Sequence, residues 1–314
     1  PPPPPPPPPP FFFQPHPGIR DPLWSRGLGD VYKRQLLIRS DKKVRDVSSS
    51  IHRIINGSIN SMSAIKSNIK NCDVVIYSIG ILEETPKLGI TFQALQFDGL
   101  KAVVDESIKA GVKKFILMSA NGVKSDGTNY QASKYHAEEY LKNSDLIYTI
   151  LRPSVIFGNP HGKMEFITQL YQEVIRPPIP AINFFNGFFP LKGSVKMSPV
   201  HIDDVVEVIY LSLNLNHTDN KTYCLGGPQI LSWYEILKCI IATTKRSKIF
   251  IPLPIVMMKI LAKLFQWMPF FPVTFEQLQM LEEENIADKD ELIKLIKRES
   301  TALTEDSIDY LVKI

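Results

Sequence analysis

The sequence is poor in cysteine: Cys72, Cys224 and Cys239 are odd in number, far apart and form no CxxC pair. That excludes a disulfide framework and a thiolate zinc site, and points to a reducing compartment. The six histidines never take the paired helical spacing of a metal site, so no metal is assigned. An excess of charge of one sign is missing too, since 36 Lys and Arg against 32 Asp and Glu leave a net charge of only +4. No basic block with interleaved aromatics occurs, which excludes the electrostatic footprint of a nucleic-acid binder. Nor is there a membrane span. The most apolar stretch, Pro254 to Trp267, is bracketed by prolines at 252, 254, 269 and 272 and falls short of the ~20 residues a bilayer requires. With 44% hydrophobic and 22% charged residues, the 314-residue chain can bury the core of one large domain or somewhat more.

The first thirty-five residues carry no period of two or of 3.6: ten prolines, then Phe11 to Phe13, then a mixed tract ending at Gln35. Ser25 to Gln35 resembles translated adapter sequence, and no apolar h-region or start methionine marks a targeting segment, so residues 1–35 are expected to be a non-native or disordered Pro-rich tract outside the core. A polyproline-II arm that docks a partner is the alternative. Gly27-Leu-Gly29 imitates the opening of a GxGxxG loop, but Tyr32 takes the third glycine position and no apolar strand precedes it.

From Leu36 onward, short runs rich in β-branched residues alternate with helical periodicity, the pattern of a parallel sheet with helices on its faces. Strands are predicted at Leu36 to Arg39, His52 to Ile55, Asp73 to Ser78, Lys114 to Ser119 and Ile147 to Leu151, and the clearest helix runs from Leu100 to Ala110, with Gly111 placed to end it. The expected fold is α/β: a Rossmann-type doubly wound sheet lacking its first strand and its glycine-rich loop. Residues 36–158 would form this truncated nucleotide-binding domain, with 195–227 returning to it. Residues 159–314 would form a smaller, mostly helical substrate or partner region.

Ligands of such sheets bind at the carboxyl ends of the strands. There Arg39 stands with Ser40, Lys42 and Lys43, a cationic cluster suited to a ribose 2′-phosphate, so NADP(H) is expected in preference to NAD(H). A solvated charged turn is the equal alternative for that cluster. Ser78 and Gly80 follow the Asp73 strand, and a glycine there allows close backbone approach to a cofactor. Ser58, Ile59 and Pro153 complete the candidate cofactor-binding set. Tyr130 and Lys134 fit the Y-x-x-x-K spacing, one helical turn apart, where a cation would lower the phenol's pKa toward neutrality and let Tyr130 act in acid/base chemistry. Tyr234 and Lys238 show the same spacing, so position decides: Tyr130 opens the helix that follows the strand ending at Ser119.

Phe115 to Val123, Tyr130 to Lys134, Leu151 to Gly158 and Pro199 to Val205 resemble the extended and atypical short-chain dehydrogenases, of the NAD-dependent epimerase/dehydratase kind. Ile251 to Pro254, Phe271 to Leu278 and Glu284 to Asp288 resemble, more narrowly, bacterial relatives of the NADPH-binding accessory subunit of respiratory complex I. The resemblance implies a bound NADPH, a structural or redox-sensing role beside a respiratory or membrane-associated partner, and a cytoplasmic place peripheral to the inner membrane. It also marks two departures. Ser58 stands where relatives carry an aspartate that touches adenine, and the carbonyl-polarising serine falls on Ala120, with Ser119 one position early on the other side of an extended chain. An NADP-dependent reductase or epimerase-like enzyme on an apolar carbonyl substrate is the alternative, and a degenerate scaffold that binds no nucleotide is a third reading.

Three other features are ambiguous. Asp203 and Asp204 are expected to cap a helix. Phe184, Phe185, Phe188 and Phe189 could line a pocket or close a core, and the helix beginning near Pro254 could lie in a membrane interface or pack on its own domain.

Overall fold

The computed structural model describes residues 11–13, 34–38, 52–161, 164–186, 195–214, 216–265 and 274–314. Seven strands form the main sheet: β1 (Phe11–Phe13), β2 (Arg34–Ile38), β3 (His52–Asn56), β4 (Val74–Tyr77), β5 (Lys114–Met118), β6 (Ile147–Pro153) and β7 (Lys221–Leu225). Their order is β7-β6-β5-β4-β1-β2-β3, and the pairs from β3 through to β6 are all parallel. This is the doubly wound order, which reverses direction between β1 and β4.

One strand departs from expectation. The slot expected to be vacant holds Phe11–Phe13, with Phe12 opposite Leu36 on one side and Ile76 on the other. Three consecutive aromatics have strong strand propensity, and a gap between two parallel strands offers unpaired backbone groups on both sides. Period-based reading passes over a three-residue strand. The cationic cluster at Arg39 and the glycines at 18, 27 and 29 lie outside the described residues.

By contact density the chain divides into two compact units, residues 1–152 with 205–223, and residues 153–204 with 224–314. In the first unit β4 is a continuous apolar run whose Val75, Ile76 and Tyr77 are all buried, as a strand covered on both faces should be. Two helices pack beside it, α1 (Met62–Ile69) and α2 (Gly99–Lys109). The latter buries Leu100, Val103, Val104 and Ser107, the i, i+3, i+4, i+7 stripe of an amphipathic helix. Gly111, at φ +72°, follows its end. A π-helical turn, Gln93–Asp98, leads into α2, and the buried Tyr77 hydroxyl donates to Leu95 O at 2.5 Å inside it. A Cβ on Gly99 would stand 2.9 Å from Ile59 Cγ1 and 3.0 Å from Tyr77 Oη, so no larger residue fits without a shift.

The second unit has its own core, around Phe157, Ile167, Trp233, Ile236, Ile240 and Met258. Phe184 belongs to it, edge-on to Trp233 at 5.4 Å, and Phe185 is buried as well, so these two aromatics close a core rather than line an open pocket. Phe188 and Phe189 lie outside the described residues. A parallel pair joins Phe250–Pro254 to Ala181–Phe185.

The helix α4 (Ile202–Asn214) opens with the two aspartates. Asp204 is not the cap the sequence suggested. Fully buried, it pairs with Arg298 at 2.7 Å and accepts from Thr301 N at 2.7 Å, anchoring the C-terminal segment. Asp203 is exposed beside His201. Four further helices follow: α5 (Trp233–Thr244), α6 (Ile255–Phe265), α7 (Phe275–Glu282) and α8 (Lys289–Ile296). Among the described residues no helix is long and apolar enough to cross a membrane.

Candidate functional site

The site is built on one helix, α3 (Asn129–Lys142), in the first unit. Its start is fixed by a capping box in which Thr128 Oγ1 accepts from Gln131 N while Gln131 Oε1 accepts from Thr128 N at 2.8 Å. Gln131 Nε2 also donates to Gly122 O at 2.9 Å, tying the helix to the loop after β5. Ser133 then donates to Gln96 Oε1 at 2.8 Å and Gln96 Nε2 to Ile81 O at 3.0 Å, linking α3 to the π-helical turn and the loop after β4. Helical spacing therefore sets Tyr130, Lys134 and Glu138 on one face at successive turns.

Lys134 is only 6% exposed, with its Nζ 3.4 Å from Met118 O and above the Tyr130 ring, 5.7 Å from the centroid. Burial pulls its ammonium down to about 8, against the opposing pull of the Glu138 carboxylate. Gly80, after β4, faces this cation: a Cβ built there would lie 3.6 Å from Nζ. Tyr130 is half-buried and edge-on to Phe92 at 5.6 Å. Burial pushes its phenol well above the usual range, which reverses the sequence-based expectation of a phenol lowered by its neighbouring cation.

Ser119 is buried and its hydroxyl donates to Glu138 Oε1 at 2.5 Å. The same carboxylate receives Arg152 from β6 in a fork, Nε at 2.9 Å and Nη2 at 2.5 Å, with Lys142 Nζ 3.6 Å away. The structure thus joins Ser119 to Glu138 and Arg152, while Tyr130 and Lys134 form a separate pair. Sequence reading missed Glu138, which in His-Ala-Glu-Glu-Tyr looks like an ordinary surface acid. The signal available was its position four residues beyond Lys134, on the same face.

The remaining candidates scatter. Ser58 is half-buried and accepts from Asn60 N at 3.2 Å, so its side chain shapes a local turn, and Ile59 belongs to the core. Ser78 and Gly80 both follow β4, and Gly80 is placed against Lys134. Pro153 is buried as the last residue of β6 and the first of the second unit. Arg39 lies outside the described residues.

A nucleotide's fit to these residues can be judged from Lys134 and Gly80. A buried cation with one long hydrogen bond retains N–H capacity that burial makes costly to leave unused, and the glycine beside it leaves room. A hydroxylated or anionic ligand group would supply the missing acceptors.

The NAD(P)H-binding family matches residues 28–176. Subunit 9 of the mitochondrial NADH dehydrogenase [ubiquinone] 1 alpha subcomplex of Mus musculus is 27% identical over 212 residues, which is 67% of this chain and 53% of that protein. This chain therefore matches about half the length of that relative. UDP-glucose 4-epimerase of Vibrio cholerae is 22% identical over 274 residues, 76% of this chain and 79% of the enzyme. Among solved structures, UDP-glucuronic acid 4-epimerase from Bacillus cereus, in complex with UDP-glucuronic acid and NAD, superposes with a TM-score of 0.69 at 15% identity, covering 97% of this chain and 99% of that one. Residues 28–176 are thus similar to an NAD(P)H-binding family, and the fold is the Rossmann sheet seen in the solved epimerase.

Proposed function

We propose that this protein holds NADP(H) as an accessory or redox-sensing factor near respiratory or quinone chemistry, rather than turning over a carbonyl substrate. The observation that carries the reading is the Lys134 ammonium, buried with a single long hydrogen bond among the described residues and faced by Gly80. Lys134 and Tyr130 would hold the nicotinamide ribose, and the Arg39 cluster would take the 2′-phosphate. The bound nicotinamide would supply hydride chemistry. The protein's own residues supply little to exploit it. Ala120 brings no hydroxyl to polarise a carbonyl, Ser119 is already committed to Glu138, and burial opposes ionisation of Tyr130. The respiratory setting rests on the mouse relative, whose name places it in an NADH dehydrogenase.

A second reading, an epimerase-like or reductase enzyme, is favoured by the V. cholerae relative and by the adjacency of Tyr130 to a lysine near 8, the makings of a proton relay. Fluorescence titration of the full chain with NADPH and NADH tests the first reading: tighter NADPH binding without consumption in the presence of quinones or carbonyl compounds is the expected result. Failure of either nucleotide to bind would sink it. Measurable turnover that Tyr130→Phe abolishes while NADPH binding persists would establish the enzyme instead.

A further inference from the structure

The helix α6 buries one side, Ile255, Met258 and Ala262, and exposes apolar side chains on another. Val256 is 51% exposed, Met257 43%, Ile260 58% and Leu264 57%. At 100° per residue these four side chains share roughly 100° of arc, a continuous apolar stripe rather than scattered surface residues. Lys259 and Lys263 run along one edge of it, four residues apart. Ile251, in the strand Phe250–Pro254 that leads into the helix, is 48% exposed, and Ile249 just before that strand is 74% exposed.

Charge shows what this surface can meet. Residues 236–265 contain six cations, Lys238, Lys245, Arg246, Lys248, Lys259 and Lys263, and no Asp or Glu. The whole chain has a net charge of only +4, so everything outside this segment is net acidic by two. Lys245, Arg246 and Lys263 are exposed. An exposed apolar stripe with the exposed Lys263 at its edge, Lys259 being paired with Glu282 of α7 at 2.7 Å, in a segment whose own sequence has no acid and whose described helix is too short to span, is the pattern of a helix lying in a lipid headgroup layer.

We propose that this face of the second unit, α6 with the strand before it, docks on an anionic lipid bilayer. Val256, Met257, Ile260 and Leu264 enter the acyl boundary, while Lys263, Lys245 and Arg246 meet headgroup phosphates. The site is independent of the nucleotide reading, because every residue in it belongs to the second unit.

Flotation of the full chain with phosphatidylcholine vesicles, with and without about 30% phosphatidylglycerol, tests it. The protein should rise with the anionic vesicles, rise far less with neutral ones, and bind more weakly as salt increases. The Ile260→Ser/Leu264→Ser double variant should lose at least about tenfold in affinity, since each side chain contributes burial of an aliphatic group. Lys245→Glu/Arg246→Glu/Lys263→Glu, which leaves the helix packing untouched, should remove the preference for anionic lipid. Leu82→Ser/Leu88→Ser, truncating exposed leucines of the first unit, should change nothing. Wild-type protein that stays unbound, or stripe and charge variants that float as well as wild type, would overturn the proposal. So would an oligomer that the stripe variant converts to monomer without any lipid binding, because a second copy of the chain would then cover this face.

Discussion

The chain contains the same local device twice, in two different surroundings. In α3 and in α5 a tyrosine occupies the second helical position and a lysine stands four residues on. Both helices begin with a capping box, Thr128 with Gln131 and Ser232 with Glu235. In both, the lysine Nζ stands over the tyrosine ring, at 5.7 Å for Lys134 and 4.8 Å for Lys238. In both, a phenylalanine meets that ring edge-on, Phe92 at 5.6 Å and Phe250 at 4.8 Å. The difference is in the surroundings. Lys134 is buried against Gly80 while Lys238 is exposed, and the next turn carries Glu138 in the first helix but Ala242 in the second. Spacing builds the pair; burial and the residue one turn beyond it are what distinguish the two copies.

The largest effect should come from breaking that third turn. Glu138 is wholly buried and gathers Arg152 and Ser119, so Glu138→Ala takes the carboxylate away from a partly buried guanidinium and a hydroxyl. The expected cost is about 3 kcal/mol, the lower end for a broken buried pair because the Arg152 side chain remains 22% exposed. Urea denaturation would read it. The matching change in α5, Ala242→Glu, places a carboxylate on an exposed position and should stay within about 0.5 kcal/mol of wild type. Equal costs at the two positions would mean that Glu138 is not the element separating the two copies.

Next in size is the ligand effect. Lys134→Met should weaken NADPH binding about 10- to 100-fold, the worth of one or two hydrogen bonds from a charged donor, whereas Lys238→Met should leave the dissociation constant unchanged. Titration by nicotinamide fluorescence decides between them, and a drop at Lys238 instead would exchange the roles of the two helices.

The buried lysine also gives stability a pH dependence of definite sign. Its folded-state pKa of about 8 lies below the unfolded value of 10.5, so between these two pH values the unfolded chain binds more protons. Wild type should therefore gain stability relative to Lys134→Met as pH rises from 8 to 10.5, and the gap should be flat below 7. Urea midpoints at pH 6.5, 8 and 10 would show this. A difference that shrinks toward alkaline pH would mean that Lys134 is stabilised as a cation and that the burial argument has the wrong sign.

Much of the fold was legible because parallel strands buried on both faces read as unbroken apolar runs. The five strands expected from Leu36 to Leu151 all form, within one or two residues of their predicted ends. The strand at Phe11 was hidden because three residues between a proline tract and a mixed tract carry no period, and only the gap between β2 and β4 gives them partners. Of the site, the helix and its tyrosine and lysine could be read from spacing. The direction of the Tyr130 shift could not, since sequence reveals the neighbouring cation but not the burial that outweighs it. Glu138 was equally hidden, because an acid in a helix is by default a solvated one. Asp204 shows the same limit: its first-turn position suggested a cap, and only the return of Arg298 and Thr301 from the far end of the chain makes it an anchor.

The smallest expected effect concerns the feature the two helices share most closely, their caps. Thr128→Ala and Ser232→Ala each remove a side-chain oxygen from an N3 backbone N–H, and cap removal costs about 0.5 to 2 kcal/mol. Ser232 is the simpler case, since its box is solvent-exposed, so its loss should fall near the bottom of that range. Thr128 is 5% exposed, and its partner Gln131 also holds Gly122 in the loop after β5. Losing this cap loosens the loop as well as the first helical turn, and the cost should lie near the top of the range. Because Tyr130 is two residues from the cap and Lys134 six, Thr128→Ala should also weaken NADPH binding by a factor of a few, while Ser232→Ala should not. Paired denaturation and titration curves of the two variants would show whether the first capping box is coupled to the nucleotide site; identical effects from both would reduce the contrast between the helices to the burial of Lys134 and the presence of Glu138.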